Sequence, residues 1–265
     1  MKVSIIPRAG LCNRMRAIAS GVFIAKHYGA QSTIYWNWEE GLKADFKDLF
    51  LPIDSNISSV VENKSWKYNQ YNGRKNGWKR TIQSLLFNQF IYAFNSNTDG
   101  DIFDKITTNK HLCLCSCHSM SKHYPMNGLF HPQVDIQKRI DEVTSKFTTK
   151  TIGVHIRRTD HAKAIAQSPL SKFVDLLDEE IKKDNNVSFY LATDDSEVKA
   201  ELKQKFGSRI LTCDEKVDRN SIEGMKFAVV DLFCLSKTHK IIGSATSSYS
   251  EIAAELGNIQ LFLAE

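Results

Sequence analysis

The 265 residues are 42% hydrophobic and 25% charged, an ordinary balance for a soluble globular protein able to bury a substantial core in one large domain or two. A net charge of +5 and a pI near 8.8 suit an anionic ligand or a membrane surface. They are too weak for nucleic-acid binding, since 35 basic and 30 acidic residues are interspersed rather than gathered in a stripe, and no apolar run reaches the length of a membrane-spanning helix.

The opening Met1–Pro7 is too short for a signal peptide and lacks a cleavage pattern, so a cytoplasmic protein is expected. Lys2 to Ile6 reads as the first strand, followed by the turn Pro7-Arg8-Ala9-Gly10-Leu11-Cys12. A helix is predicted from Asn13 to Tyr28, with Asn13 as N-cap, Gly29 as terminator and Ile18, Val22 and Ala25 as its apolar stripe. Thr33–Trp36 and Ile57–Val61 read as strands. The Asn-, Lys- and aromatic-rich stretch from Asn63 to Trp78 carries no clear pattern. A helix is predicted over Lys79–Phe94, then a strand over Lys110–Cys117, with Pro125–Pro132 as a linker.

The second half alternates more cleanly. Helices are predicted at Gln133–Phe147, Leu170–Lys183, Ser196–Phe206, Ile222–Leu235 and Tyr249–Leu256. Strands are predicted at Thr151–Ile156, Ser188–Thr193, Arg209–Thr212, Lys240–Ile242 and Ile259–Phe262. This β-α alternation argues for parallel sheets covered on both faces. Thr151–Ile156 is apolar almost throughout, as a doubly buried parallel strand should be. The expected division is 1–130 and 131–265, two α/β domains of Rossmann type with a cleft between them.

Polar residues gather where strands end and helices begin. The sets are Asn13, Arg14 and Arg16; His155, Arg157, Arg158 and Asp160; Thr193, Asp194 and Asp195; and Gly243-Ser244-Ala245-Thr246-Ser247-Ser248-Tyr249. Ligands of open α/β sheets bind beyond the carboxyl ends of the strands. Two guanidiniums there suit a phosphate or carboxylate, though Arg and Asp at a strand end also pair simply with one another. Ser at a helix start is either a cap or a phosphate contact, and Asp194 and Asp195 are either a cap or part of a site.

In order along the chain stand His155-Ile-Arg-Arg-Thr-Asp160, Ala192-Thr-Asp-Asp195, Asp231 with Leu235-Ser236, and Thr246-Ser-Ser248. This series resembles the fucosyltransferase superfamily that shares an H-x-R-R-x-D motif, most nearly its α-1,6 branch with the nodulation enzymes. Gly10-Leu-Cys-Asn-Arg14 is similar to the Gly-Asn motif that opens their N-terminal domain. The resemblance implies a GT-B fold, with an acceptor-side N-terminal domain and a donor-binding C-terminal one. It implies inverting, metal-independent transfer of fucose from GDP-fucose to a glycan hydroxyl. Arg157 would then grip the β-phosphate, with Ser247 and Ser248 also on phosphate. His155 and Asp231 would contact the nucleoside, Asp231 as guanine partner. Arg158, Asp160, Asp194 and Asp195 would shape the site, Arg158 on its donor side, and Asn13 would approach from the other domain.

The sequence departs from the α-1,6 pattern just past the motif, where a Lys and then a Glu are replaced by His161 and Ala162-Lys163-Ala164-Ile165. His161 is therefore the candidate catalytic base beside Arg157, and Lys163 either replaces the lost cation or is a solvated loop residue. The departure bears on linkage and acceptor more than on the donor, and it leaves open a non-catalytic nucleotide- or glycan-binding protein on the same fold; a transferase using another GDP-sugar is the other alternative. The expected acceptor is a glycan or lipid-linked oligosaccharide of bacterial polysaccharide synthesis, met at the inner face of the membrane. Tyr35-Trp36-Asn37-Trp38-Glu39-Glu40, after the second strand, could offer aromatic stacking or a carboxylate to a sugar, which makes Glu39 or Glu40 a second base candidate. The basic, aromatic Asn72–Arg80 stretch either touches an anionic acceptor or lipid headgroups, or is a solvated face. Cys113, Cys115 and Cys117 with His111 and His118 could suggest zinc. C-x-C-x-C, however, is strand alternation, and reduced cysteines packed in a core are expected.

Overall fold

The computed structural model describes every residue except 40, 64, 69–76, 94–100, 127, 159–161 and 216–217, and the side chains at 80 and 162–164 are likewise not described. The chain divides into two compact units, Met1–Gln133 with Arg219–Met225, and Val134–Asp218 with Lys226–Glu265. Each is an α/β unit built on one five-stranded parallel sheet.

In the first unit β1 (Lys2–Pro7), β2 (Gln31–Trp36), β3 (Ser58–Glu62), β4 (Gln89–Ala93) and β5 (His111–Ser116) stand in the order β3-β2-β1-β5-β4. Helix α1 (Leu11–His27) packs against β1 and β2 with Met15, Ile18, Val22 and Ile24 buried. Helix α2 (Phe46–Leu49) is a single turn closed by a capping box of Asp45 and Asp48, and α3 (Gly77–Leu86) precedes β4.

Two predicted elements differ here. Helix α1 begins at Leu11, capped by the extended backbone of Gly10 without a side-chain bond, so Asn13 lies inside the first turn and is not the N-cap. The single helix predicted over Lys79–Phe94 is instead α3 followed by β4, and Phe94 lies outside the described residues. The helix stops because the chain is captured at Asn88: its N–H donates to His111 O, and its Oδ1 accepts from His111 N–H. Gln89 to Ala93, β-branched and aromatic at its centre, then pairs with Leu112 to Ser116.

In the second unit the strands are β6 (Thr151–Ile156), β7 (Ser188–Thr193), β8 (Ile210–Leu211), β9 (Lys240–Gly243) and β10 (Gln260–Leu263), in the order β10-β9-β6-β7-β8. The helices are α4 (Val134–Thr144), α5 (Ala162–Gln167), α6 (Leu170–Lys183), α7 (Ser196–Phe206), α8 (Ile222–Ser236) and α9 (Ser248–Gly257), with the first turn of α8, as far as Met225, grouping with the first unit. All six residues of β6 are buried, as a central parallel strand requires. Ile152, Val154 and Ile156 join Phe173, Leu177, Phe189, Leu191 and Leu202 in one apolar layer. The alternate residues Gly153 and His155 meet α8 and α9 instead, through Leu235 and Ser250. Strand order reverses between β6 and β9, and in open α/β sheets ligands bind in the crevice outside the carboxyl ends of the strands at such a point.

Candidate functional site

The crevice is held together by hydroxyls of small residues. Past the end of β6, the Arg157 N–H donates to Ser244 Oγ at 3.0 Å, and Ser244 N–H donates to His155 O at 3.0 Å. The buried Ser168 ties the loop after β9 to the other side: its Oγ accepts from Ala245 N–H at 2.8 Å and its carbonyl from Arg158 Nη1 at 2.9 Å. The two arginines therefore part company. Arg158 turns its guanidinium to Ser168 and over the ring of Phe173, 6.0 Å from the centroid, so it braces the loop. Arg157 stays at the crevice, Nη1 3.2 Å from Asp194 Oδ2, with side chains 18% and 9% exposed.

The two aspartates also separate. Asp194 Oδ1 accepts from the Arg158 N–H at 2.8 Å while its other oxygen faces Arg157. Asp195 is the N-cap of α7, accepting from Glu197 and Val198 N–H. The Arg–Asp pairing of this strand end thus runs from Arg157 to the neighbouring strand.

His155 is buried, its Nδ1 2.7 Å from Ser250 Oγ and its ring stacked on Tyr249 at 4.8 Å. Burial, reinforced by the nearby Arg157 charge, lowers its pKa to about 4, so the imidazole is neutral at pH 7. Tyr249 is anchored in turn, its hydroxyl donating to Ala228 O of α8 at 2.5 Å. Ser247 takes the N-cap position of α9 but its side chain makes no capping bond, and Thr246 before it adopts a left-handed φ of +55°. A helix start in this state offers N–H groups and hydroxyls of Ser247 and Ser248 to an anion. Asp231, midway along α8, is buried and accepts a hydrogen bond from the Tyr190 hydroxyl. Burial raises its pKa to about 7.

His155, Arg157, Arg158, Asp194, Asp195, Asp231, Ser247 and Ser248 all belong to the second unit, whereas Asn13 belongs to the first. Asp160 and His161 lie outside the described residues, as does the side chain of Lys163. Ser244, Ser168, Ser250 and Tyr190 carry much of the geometry, yet nothing in the sequence singles them out as individuals.

In the first unit the turn after β1 is built on a buried arginine. Arg14 donates from Nε to Ala9 O at 2.8 Å and from Nη1 to Asn37 O at 2.5 Å, with its guanidinium 4.7 Å from the Trp36 ring centroid. Burial lowers its pKa to about 10, still charged at pH 7. Glu39 answers that charge, 3.4 Å from Arg14 Nη2 and 2.9 Å from Arg8 Nε, and accepts from Ala9 N–H. Asn13 Oδ1 accepts from Arg16 Nη2 at 2.6 Å. Trp36 is buried, while Trp38 is 55% exposed with its indole N–H donating to Asp45 Oδ1. Glu40 and residues 72–76 lie outside the described residues. Cys113 and Cys115 sit in an apolar cluster with Ile6 and Phe87, where burial raises both thiol pKa values. Among the described residues no group of His, Cys, Asp or Glu is placed to hold a metal, and no helix is long and apolar enough to cross a membrane.

No family model and no curated protein sequence matches the chain. Solved structures do. The α-1,6-fucosyltransferase NodZ, from a crystal soaked with GDP-fucose, aligns with a TM-score of 0.65 at 18% identity, over 96% of this chain and 92% of that one. FUT1 of Arabidopsis thaliana in complex with GDP gives 0.64 at 15% identity, over 99% and 69%. POFUT1 in complex with GDP gives 0.61 at 10%, over 99% and 97%. The fold is one that these fucosyltransferases share. Two parallel five-stranded α/β units of GT-B type are what the chain shares with these enzymes, across nearly its whole length.

Proposed function

We propose that the chain is an inverting, metal-independent glycosyltransferase that moves fucose from GDP-fucose to a glycan hydroxyl. The observation that carries the reading is Arg157, past the end of β6, with its guanidinium on Asp194 and its backbone N–H on Ser244 of the loop that leads into α9, where the Ser247 side chain makes no capping bond. The second unit holds the donor. Arg157 takes the β-phosphate, the α9 N–H groups with Ser247 and Ser248 take the remaining phosphate oxygens, and Asp231 meets guanine. His155, neutral at pH 7, fits a nucleoside contact better than a phosphate contact. Arg158, Asp160, Asp194 and Asp195 hold the loops in shape, and the first unit, with Asn13 and the exposed Trp38, serves the acceptor side. In the reaction the acceptor oxygen bonds to the anomeric carbon as the bond from that carbon to the β-phosphate oxygen breaks. Charge grows on departing GDP, where Arg157 and the helix-terminal N–H groups stabilise it. His161 takes the proton of the acceptor hydroxyl. The acceptor is a glycan or lipid-linked oligosaccharide of bacterial polysaccharide assembly, reached from the cytoplasm at the membrane's inner face.

Isothermal titration with GDP tests the donor site. Arg157→Ala should weaken binding about 30-fold, the equivalent of a charge-assisted bond of ~2 kcal/mol. Arg209→Ala, just before β8 and so at the other end of the sheet, should leave binding unchanged. A wild-type chain that ignores GDP, or equal losses for the two variants, would sink the reading.

A further inference from the structure

Tyr190 brings a phenolic hydroxyl to Asp231. Tyr190 lies mid-strand in β7, fully buried, its ring packed on Phe147 with centroids 5.2 Å apart. That hydroxyl donates to Asp231 Oδ1 and lies 3.5 Å from Cys213 Sγ. Asp231 is only 6% exposed, set between Val230 and Leu232 of α8, which are both buried. A carboxyl at such a depth is costly unless its lone pairs are met, and a purely structural helix would be served better by an apolar residue. A carboxylate has about four lone-pair sites, and the phenol uses one. The remainder match a ligand with two adjacent N–H donors. The Watson–Crick edge of guanine, with N1–H and the 2-amino group, is such a ligand; that of hypoxanthine keeps only N1–H.

We propose that Tyr190 is the positioning residue for base recognition: its hydroxyl fixes the Asp231 carboxylate so that the other lone pairs face both N–H groups of guanine. This rests on the reading that the donor is a GDP-sugar with Asp231 as its guanine partner. The other ionisable groups around Asp231 are differently engaged. Lys199 Nζ donates to Cys213 O at 2.6 Å, Arg139 pairs with Glu215 at 2.7 Å, and burial keeps the Cys213 and Cys234 thiols protonated. Burial holds the Asp231 carboxyl up near 7 while the bond from Tyr190 lowers it, so GDP affinity should rise with pH through that region.

The test is titration calorimetry on the full chain with GDP and IDP between about pH 6 and 8.5, for wild type, Tyr190→Phe and Asp231→Asn. Tyr190→Phe keeps the ring and should weaken GDP about tenfold, the loss expected for a hydrogen bond to a charged group. It should also reduce the preference for GDP over IDP toward that of Asp231→Asn, and move the pH midpoint of GDP binding upward. Unchanged affinity, selectivity and midpoint in Tyr190→Phe, with both affinity and selectivity lost in Asp231→Asn, would make Tyr190 a packing residue and leave the donor reading intact. If the wild type binds no GDP, the donor reading itself fails. Should Tyr190→Phe not fold, replacing tyrosine by 3-fluorotyrosine strengthens the phenol as donor. The midpoint should then move downward, and an unmoved one would overturn the proposal.

Discussion

On the proposed reading, Arg157 meets an incoming diphosphate with its charge already answered by Asp194. In that reading a diphosphate shares the guanidinium with Asp194, whose side chain is only 9% exposed and would otherwise be left as a buried charge. Asp194 itself is held by the Arg158 N–H on its other oxygen at 2.8 Å. Asp194 thus sets the direction of Arg157. What these residues do not supply is a base. His155 is neutral but committed at Nδ1 to Ser250, and Glu39 is shared between Arg8 and Arg14. On the proposed reading, the base is His161, directly after the motif. His161→Ala should lower turnover about 10²- to 10⁴-fold while GDP binding stays at the wild-type value. Stopped assays of donor consumption alongside calorimetry separate the two, and normal turnover would remove His161 from the mechanism.

At the scale of elements, the site depends on how closely α9 comes down onto β9. A Cβ placed at Gly243 would lie 2.5 Å from Ser250 Oγ and 2.6 Å from Ser250 Cβ, closer than real contacts allow. Gly243→Ala should therefore lift the start of α9, costing about 1–3 kcal/mol by overpacking and weakening GDP through the displaced Ser247 and Ser248. Denaturant midpoint and calorimetry should both fall, and a variant that keeps wild-type values in both refutes the close-approach argument. This dependence was invisible in the sequence, where Gly243-Ser244 reads only as a turn. The sheets were legible because β6 is a nearly continuous apolar run, as a doubly covered parallel strand is, and because short strands alternate with helical stretches through the second half. The split between α3 and β4 was hidden, since Asn88 ends the helix through contacts with His111, 23 residues away. Similarly, Tyr190 in Ser-Phe-Tyr-Leu-Ala-Thr looks like any core aromatic until α8 brings Asp231 to it. Nor does any shift in composition mark Arg219–Met225, which group with the first unit although they follow most of the second.

Across the whole chain, two buried groups in the second unit pull stability in opposite directions with pH. His155 takes up its proton near 4 when folded and near 6.5 when unfolded, so between those values the unfolded chain binds more protons and stability is lost as pH falls. Asp231 releases its proton near 7 when folded and near 3.8 when unfolded, so there the folded chain binds more protons and stability is lost as pH rises. From about pH 4 to 6.5 the two largely offset each other. Asp231→Asn removes one side of that balance and keeps an acceptor for Tyr190. The variant's stability relative to wild type should therefore climb steadily from about pH 4 to 7 and level off above, with a ceiling of about 4 kcal/mol. Glu62 in the first unit, also raised to about 7 by burial, carries the same sign as Asp231, but it is present in both proteins and cancels in the difference. A chain of two units need not unfold in one step, so the comparison is made pH by pH, variant against wild type, in chemical denaturation. A difference that stays constant across that window would mean that Asp231 is ionised in the folded protein throughout. It would then need a buried partner stronger than the Tyr190 hydroxyl.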